Sequence, residues 1–304
     1  MPALIDLRRR IRSVKNTKQI TQAMKTVSTA KFQKAQKSVM EGRPLWHGFP
    51  ELAAKISGWA EGSPNPLLAR RREMKIEVVV VTGDKGLCGA FNSNLLEKVR
   101  DFLEMKAETC DVRLTLLGKK ANSFFKRFDY TVGRTFTKEV AKFTDEDLED
   151  LSAYIMRLYM LSRCDAVYLA YNEFKSILAP KILIAKLLPI EDAGGNGTGE
   201  KKVSVNISDK KDDTHLFLVP DWEPGRERML DRMLPRYIKA QIKHIFFESA
   251  AAEHAARMMA MDNATKNAEE LIEDLTLLLN KIRQAEITKE LLEIMTAVEA
   301  LSKK

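Results

Sequence analysis

The sequence predicts an α/β protein in which two long terminal helices pair as an antiparallel coiled coil and a separate α/β domain is inserted between them. Two stretches free of Gly and Pro, Arg236 to Lys304 and the residues between Pro2 and Gly42, predict the helices. Alternating strand and helix patterns through the middle of the 304-residue chain predict the inserted domain. The C-terminal stretch alone has 69 residues, against about 11–12 for an ordinary helix. At 1.5 Å per residue it extends roughly 100 Å, several times the width of a small domain, so it cannot fold back into an ordinary core.

The apolar pattern of that helix indicates what it packs against. Ile238, Ile242, Ile245, Ser249, Ala252, Ala256 and Met259 follow alternating spacings of four and three. A five-residue step then reaches Ala264, and Ala268, Leu271, Leu275, Leu278, Ile282 and Ala285 resume the pattern. This is a coiled-coil seam with one phase shift. Small residues crowd its first half, so the partner helix is expected to approach closely around Ala250 to Ala260. A solvated linker helix would instead be polar all round.

A partner lies at the other end of the same chain, where Leu4, Leu7, Ile11, Val14, Ile20, Met24, Val27 and Ala30 recur mostly at three and four. This helix spans about 60 Å, which leaves part of the C-terminal helix unpaired. The sequence therefore divides into an N-terminal helix (1–41), a connector (42–75) with a short amphipathic helix at Leu52 to Trp59, an α/β domain (76–220) and a C-terminal helix (221–304).

Charge is concentrated on the first helix. Residues 1–41 carry ten of the 50 Lys+Arg (Arg8, Arg9, Arg10, Arg12, Lys15, Lys18, Lys25, Lys31, Lys34 and Lys37) but only two of the 42 Asp+Glu, Asp6 and Glu41. That segment holds the whole net charge of +8, and the rest of the chain is balanced. A basic helix suits an acidic partner surface or nucleic acid. Nucleic acid is the weaker reading, because no aromatic residue interleaves the bases before Phe32 and no nucleic-acid-binding motif is present. A merely solvated basic face is the bland alternative.

Composition excludes other classes. A hydrophobic content of 45% is ordinary, and no apolar run approaches the roughly 18 residues that cross a membrane: Ile182 to Leu188 is broken by Lys186. The start Met-Pro-Ala-Leu-Ile-Asp-Leu-Arg-Arg-Arg lacks a signal-peptide core, so the mature chain is expected to begin near residue 1 in a cytoplasm. Cys88, Cys110 and Cys164 have no CxxC spacing and fit a reducing compartment. His47, His215, His244 and His254 are too scattered to suggest a metal site.

The middle alternates. Ile76 to Thr82, Val112 to Leu117, Thr131 to Phe136, Ala166 to Tyr171 and Lys181 to Pro189 read as strands. Asn92 to Met105, Lys119 to Phe128 and Asp145 to Leu161 read as helices. This order predicts a Rossmann-like layer with a mostly parallel sheet. Asp192 to Lys202 is a Gly-rich loop, and His215 to Val219 returns through the sheet or its edge. Thr82-Gly-Asp-Lys-Gly-Leu-Cys-Gly-Ala-Phe-Asn92 could place backbone N–H groups around a phosphate. Its G-x-x-G-x-x-G spacing matches neither the dinucleotide fingerprint nor a P-loop, so a tight strand-to-helix turn is the stronger reading and no cofactor is expected. Cys88 is a small packed residue rather than a nucleophile, since no His partner is identifiable.

Three separated motifs then point to one family. Ile11-Arg-Ser-Val-Lys-Asn-Thr-Lys-Gln-Ile-Thr-Gln-Ala-Met-Lys25, Gly86-Leu-Cys-Gly-Ala-Phe-Asn92, and Ala255-Ala-Arg-Met-Met-Ala-Met-Asp-Asn-Ala-Thr265 with Arg283-Gln-Ala-Glu-Ile-Thr-Lys-Glu-Leu291 resemble the γ subunit of bacterial F-type ATP synthases. The resemblance covers nearly the whole chain. Gly83 and Lys85 stand where that family often has Ser and Arg, Ala90 replaces a frequent Gly, and the loop at Asp192 to Lys202 is looser.

The resemblance implies a central rotor shaft without catalytic residues of its own, coupling proton flow through a membrane c-ring to conformational cycling of β subunits. It implies as partners the α and β subunits of the catalytic hexamer, the ε subunit and the c-ring, and it places the chain peripherally on the cytoplasmic face of the bacterial inner membrane. Matching positions carry over as β contacts: Met24 and Lys25 with the basic residues Arg8, Arg9 and Lys15, and Arg257, Gln284 and Thr288 on the C-terminal helix. Trp222 and Glu223, before Pro224, resemble the foot that touches the c-ring. No cysteine follows Cys164, so the thiol-bearing insert of plastid forms is absent. A nucleotide-binding α/β protein and a free-standing coiled-coil scaffold remain the competing classes.

Overall fold

A computed structural model describes residues 2–59, 65–138, 140–176, 180–190 and 226–302. Helix α1 (Pro2–Trp59) is followed by strand β1 (Lys75–Val81), α2 (Phe91–Ala107), β2 (Asp111–Leu117), α3 (Lys119–Phe125), β3 (Thr131–Phe136), α4 (Asp145–Met160), β4 (Ala166–Glu173), β5 (Lys181–Leu188) and α5 (Arg226–Ser302). The predicted strand at His215 to Val219 and the loop at Asp192 to Lys202 fall outside the described residues.

Helix α1 exceeds its predicted bounds, and α5 lies within its own. α1 continues past Gly42, Pro44 and Pro50 to Trp59, where those breakers predict an end and a separate short helix. Helix propagation is cooperative, so a local breaker penalty is offset when helix continues on both sides. α5 begins at Arg226 and contains Pro235. Leu230, Leu234 and Ile238, buried at spacings of four on either side of that proline, hold the helix across it.

The chain forms two compact units. One comprises Met1–Lys31, Leu87–Gly89 and His254–Lys304; the other comprises Phe32–Gly86 and Ala90–Glu253. The second contains a five-stranded sheet in the order β3-β2-β1-β4-β5, parallel except for the β4–β5 pair. The near-continuous apolar run of β1 is explained by burial on both faces. Ile76, Val78 and Val80 pack with Leu95, Val99 and Leu103 of α2 and Phe125 of α3. Val79 and Val81 pack on the opposite face with Leu151, Ile155 and Tyr159 of α4 and with Ile238, Ile242 and Ile245 of α5. The capping box formed by Thr144 and Asp147 starts α4.

β1 also buries a carboxylate. Glu77 accepts a hydrogen bond from the Thr115 hydroxyl and lies 3.7 Å from Arg113, both on β2. Burial pushes its carboxyl up, and Thr115 and Arg113 oppose that shift.

Glu73 behaves in the opposite way. Burial alone would raise it, but hydrogen bonds from Lys106 (2.8 Å), Lys186 (3.0 Å) and the Tyr168 hydroxyl (2.9 Å) prevail and lower it from 4.5 to about 2. A carboxylate with a lowered folded-state pKa stabilises fully above its unfolded value and loses that contribution as pH falls. Glu73→Gln should therefore cost on the order of 1–2 kcal/mol at neutral pH, allowing for solvent screening. Urea midpoints of the full chain should differ above pH 5 and converge as pH falls from about 4.5 towards about 2. Parallel midpoint curves across that window would refute the assignment.

Candidate partner-binding surfaces of the terminal helices

In the first unit, α1 and α5 run antiparallel. Lys18 is ion-paired to Glu269 at 2.8 Å, the Thr21 and Thr265 hydroxyls share a hydrogen bond of 2.8 Å, and Lys25 is ion-paired to Asp262 at 2.6 Å. Position numbers rise on one helix as they fall on the other. Continuing that register puts Val14 at the level of Ile272 and Ile11 at the level of Leu275; Ile11 and Leu275 are buried and the other two half-buried.

This register changes part of the predicted seam. Ile238, Ile242, Ile245, Ser249 and Ala252 are buried, but the three isoleucines pack against β1 and α4 in the core of the α/β domain and not in a helix–helix seam. After the phase shift the buried positions are Met261, Thr265, Ala268 and Leu275, with Ile272, Leu279 and Ile282 half-buried between and beyond them. Leu271 and Leu278, assigned to the seam from sequence, are 40% and 44% exposed, against 7% for Leu275. On α1, Ile20 and Val27 are likewise exposed, whereas Lys18, Thr21, Lys25 and Ser28 hold the inner positions. An apolar-only pattern misses polar seam residues. The missed signal is the alternation of three and four that continues unbroken from Leu4, Leu7, Ile11 and Val14 onto those four residues.

The register spreads the candidate contact residues along the rod, with Arg8, Arg9 and Lys15 between its two ends. Met24 and Lys25 stand near the level of Asp262, one turn from Arg257. Gln284 and Thr288 lie roughly 40 Å further along α5 than Arg257, near the level at which α1 begins. Arg8, Arg9 and Lys15 are exposed on α1, as are Gln284 and Thr288 on α5. The Thr288 hydroxyl donates to the Gln284 carbonyl at 2.9 Å. Met24 is half-buried, and Arg257 is buried with its guanidinium 3.3 Å from the His254 ring. Lys25 is directed to Asp262, and hydrogen bonds from Lys25 and Lys266 lower the Asp262 carboxyl below its ordinary value. Trp222 and Glu223 lie outside the described residues.

Beyond Glu286 the described side chains of α5 are exposed, including Ile287, Leu291, Leu292, Ile294, Met295 and Val298. Single exposed apolar residues are commonplace, but a run of this kind marks an interaction surface.

The glycine turn after β1 is occupied by the chain's own groups. The Gly83 N–H donates to Asn92 Oδ1 at 2.9 Å. The Asp84 carboxylate accepts from the N–H groups of Lys119 and Val140 at 2.9 and 3.0 Å. A side chain on Gly83 would meet the Glu253 carboxylate at 2.7–2.9 Å. Glycine here admits a carboxylate from α5 to the strand end. A second α5 carboxylate, the buried Glu248, accepts from the Phe174 N–H at 2.9 Å just past β4. Cys88 is buried, and burial together with Glu77 and Asp165 pushes the Cys164 thiol up to about 12. Among the described residues no cluster of three or more His, Cys, Asp or Glu could hold a metal ion, and no helix is long and apolar enough to cross a membrane.

Comparison with known proteins agrees with this architecture. The family model for ATP synthase matches residues 3–301. The ATP synthase gamma chain of Anaeromyxobacter sp. (strain Fw109-5) is 41% identical over 305 residues, covering 99% of this chain and all of that one. That of Pelotomaculum thermopropionicum is 38% identical over 301 residues, with the same coverage. Among solved structures, the fold resembles a chain of the Euglena gracilis mitochondrial ATP synthase OSCP/F1/c-ring assembly, with TM-score 0.62 and 20% identity over 99% of this chain and 95% of that one. It also resembles a chain of the Tetrahymena thermophila mitochondrial ATP synthase central stalk/c-ring, with TM-score 0.58 and 21% identity over 81% and 99%. With residues 3–301 matched and relatives about 40% identical along their full length, the chain belongs to the γ-chain family of ATP synthases.

Proposed function

We propose that the chain is the rotating central shaft of a proton-translocating F-type ATP synthase, driven at its foot by a membrane c-ring and turning within the α and β subunits of the catalytic hexamer. The observation that carries this reading is the helix pair: α1 and α5 are held antiparallel by three side-chain pairs, and α5 runs on past its partner as an apolar, exposed rod. Ile287 to Ser302 extends it by roughly 24 Å. A stiff, asymmetric rod presents a different face at each angle. Each face favours one β conformation by differential contact, so rotation shifts the three β sites in turn.

In this reading the subunit makes and breaks no covalent bond; nucleotide chemistry belongs to the β sites. The exposed Arg8, Arg9 and Lys15 meet acidic surface on β, Gln284 and Thr288 exchange hydrogen bonds with it, and Trp222 and Glu223 belong to the foot on the c-ring, beside the ε subunit. The chain is peripheral to the membrane, on the cytoplasmic face in a bacterial cell.

Arg8→Glu, Arg9→Glu and Lys15→Glu combined tests the electrostatic part. Assembly or torque of the reconstituted complex should fall at low salt and partly recover as salt shortens the Debye length below its physiological value of about 8 Å. Unchanged assembly and unchanged ATPase activity at low salt would count against an acidic partner surface.

A further inference from the structure

An apolar seam between two long helices has a register problem. Sliding one helix by a heptad, about 10 Å, returns apolar residues to apolar neighbours, so hydrophobic burial alone discriminates poorly between registers. The seam described here carries polar residues at four successive inner positions of α1, Lys18, Thr21, Lys25 and Ser28, and Asp262, Thr265 and Glu269 meet the first three from α5.

Slipped registers satisfy this set poorly. Shifted by one heptad in one direction, Lys25 would reach the level of Glu269, but Lys18 would face Thr276 and the Thr21 hydroxyl would face Ile272. Shifted the other way, Lys18 would reach Asp262, Lys25 would face Ala255 and Thr21 would face Met258. Either slip keeps one ion pair, removes the other and breaks the hydroxyl–hydroxyl contact, leaving Thr21 and Thr265 only their bonds to the Lys18 and Met261 carbonyls of their own helices, at 3.0 and 2.7 Å. Losing the hydrogen bond between the two hydroxyls costs about 0.5–1.5 kcal/mol. The correctly formed ion pairs are partly exposed and contribute only about 0–1 kcal/mol each. The polar ladder thus adds little to stability while penalising alternatives.

We infer that Lys18–Glu269, Thr21–Thr265 and Lys25–Asp262 form a register key that fixes the axial position of α1 against α5. The inference rests on the shaft reading for its functional meaning: the key decides which α1 residues share a level with Arg257 and Gln284, and so which composite face the rod presents at each height. These six are positioning residues. A shift of one heptad would move every α1 contact by about 10 Å, far beyond hydrogen-bond reach, without unfolding either helix.

The test is disulfide trapping in the assembled complex, with cysteine pairs that avoid the key. Ile11→Cys with Leu275→Cys reports the observed register, and Ile11→Cys with Ala268→Cys or Ile282→Cys reports each one-heptad slip. With the key intact, only the first pair should cross-link efficiently. Replacing all six key residues by Leu or Val should leave a folded pair of helices in which the slipped registers take a readily measured share of the cross-linked product. Exchanging the charges, Lys18→Glu and Lys25→Asp with Asp262→Lys and Glu269→Lys, should restore the first cross-link alone, whereas the two α1 changes without their α5 partners should reduce it at least tenfold. A fully apolar ladder that still gives only the Ile11–Leu275 cross-link would overturn the inference. ATP-driven proton pumping by the parent complex tests the shaft reading separately, because its absence would sink that reading and leave the cross-link result standing.

Discussion

Leu275→Pro should uncouple ATP hydrolysis from proton pumping or prevent assembly. Leu275 is buried on the inner face of α5, at the level of Ile11 on α1. Proline there removes one backbone hydrogen bond and sets its ring against the Leu271 carbonyl, at about 3 kcal/mol or more. Loss of the leucine side chain adds a cavity term of roughly 2–5 kcal/mol. The two effects separate experimentally, because Leu275→Ala carries the cavity without the kink. The proline variant should transmit torque poorly even where assembly survives, and the alanine variant should be much milder. The measurement is ATP-driven acidification of vesicles carrying each variant beside the parent at equal subunit occupancy. Equal pumping per ATP hydrolysed by the proline variant would be incompatible with a rigid shaft.

Gly118→Val should destabilise the α/β domain severely. Gly118 joins β2 to α3 with φ 93° and ψ 148°, a conformation essentially reserved for glycine. A Cβ there would lie 2.3 Å from the Thr82 carbonyl oxygen and 2.7 Å from the Thr82 hydroxyl. Neither atom can withdraw easily. The Thr82 N–H and hydroxyl both bond the Leu117 carbonyl, and the same hydroxyl accepts the Ala121 N–H at the start of α3. Backbone strain and clash together should cost about 3–5 kcal/mol, a large share of the 5–15 kcal/mol that holds a typical domain. Thermal unfolding of the full chain followed by circular dichroism checks this. A midpoint within a few degrees of the parent's would show that the junction rearranges freely.

Much of this architecture was legible before any coordinates. Breaker-free length is a one-dimensional property, so the two terminal helices and their antiparallel pairing could be read directly. The strands were readable because both sheet faces are covered and their apolar runs are continuous, as with Ile76 and Val78 to Val81. Helix ends were less legible. Pro44 and Pro50 predict interruptions that the helical backbone does not show, because the local penalty competes with cooperative propagation; Pro235 is carried inside α5, where Leu230, Leu234 and Ile238 pack on either side of it.

The candidate contact residues divide along the same line. The sequence by itself determined that a basic helix and a long apolar helix pair at opposite ends of one chain, because charge density and periodicity are carried by each segment alone. It could not determine which face turns inward. Ile20, Val27, Leu271 and Leu278 are apolar and exposed, while Lys18, Thr21 and Lys25 are polar and inward, because a polar side chain can occupy a seam when the facing helix supplies its partner. That partner is more than 230 residues away in sequence. Glu77 follows the same rule: only the alignment of β1 with β2 shows that Thr115 and Arg113 stand beside it. The tertiary structure decided these points because the free energy of a buried polar group is set by the groups that surround it, not by its neighbours along the chain.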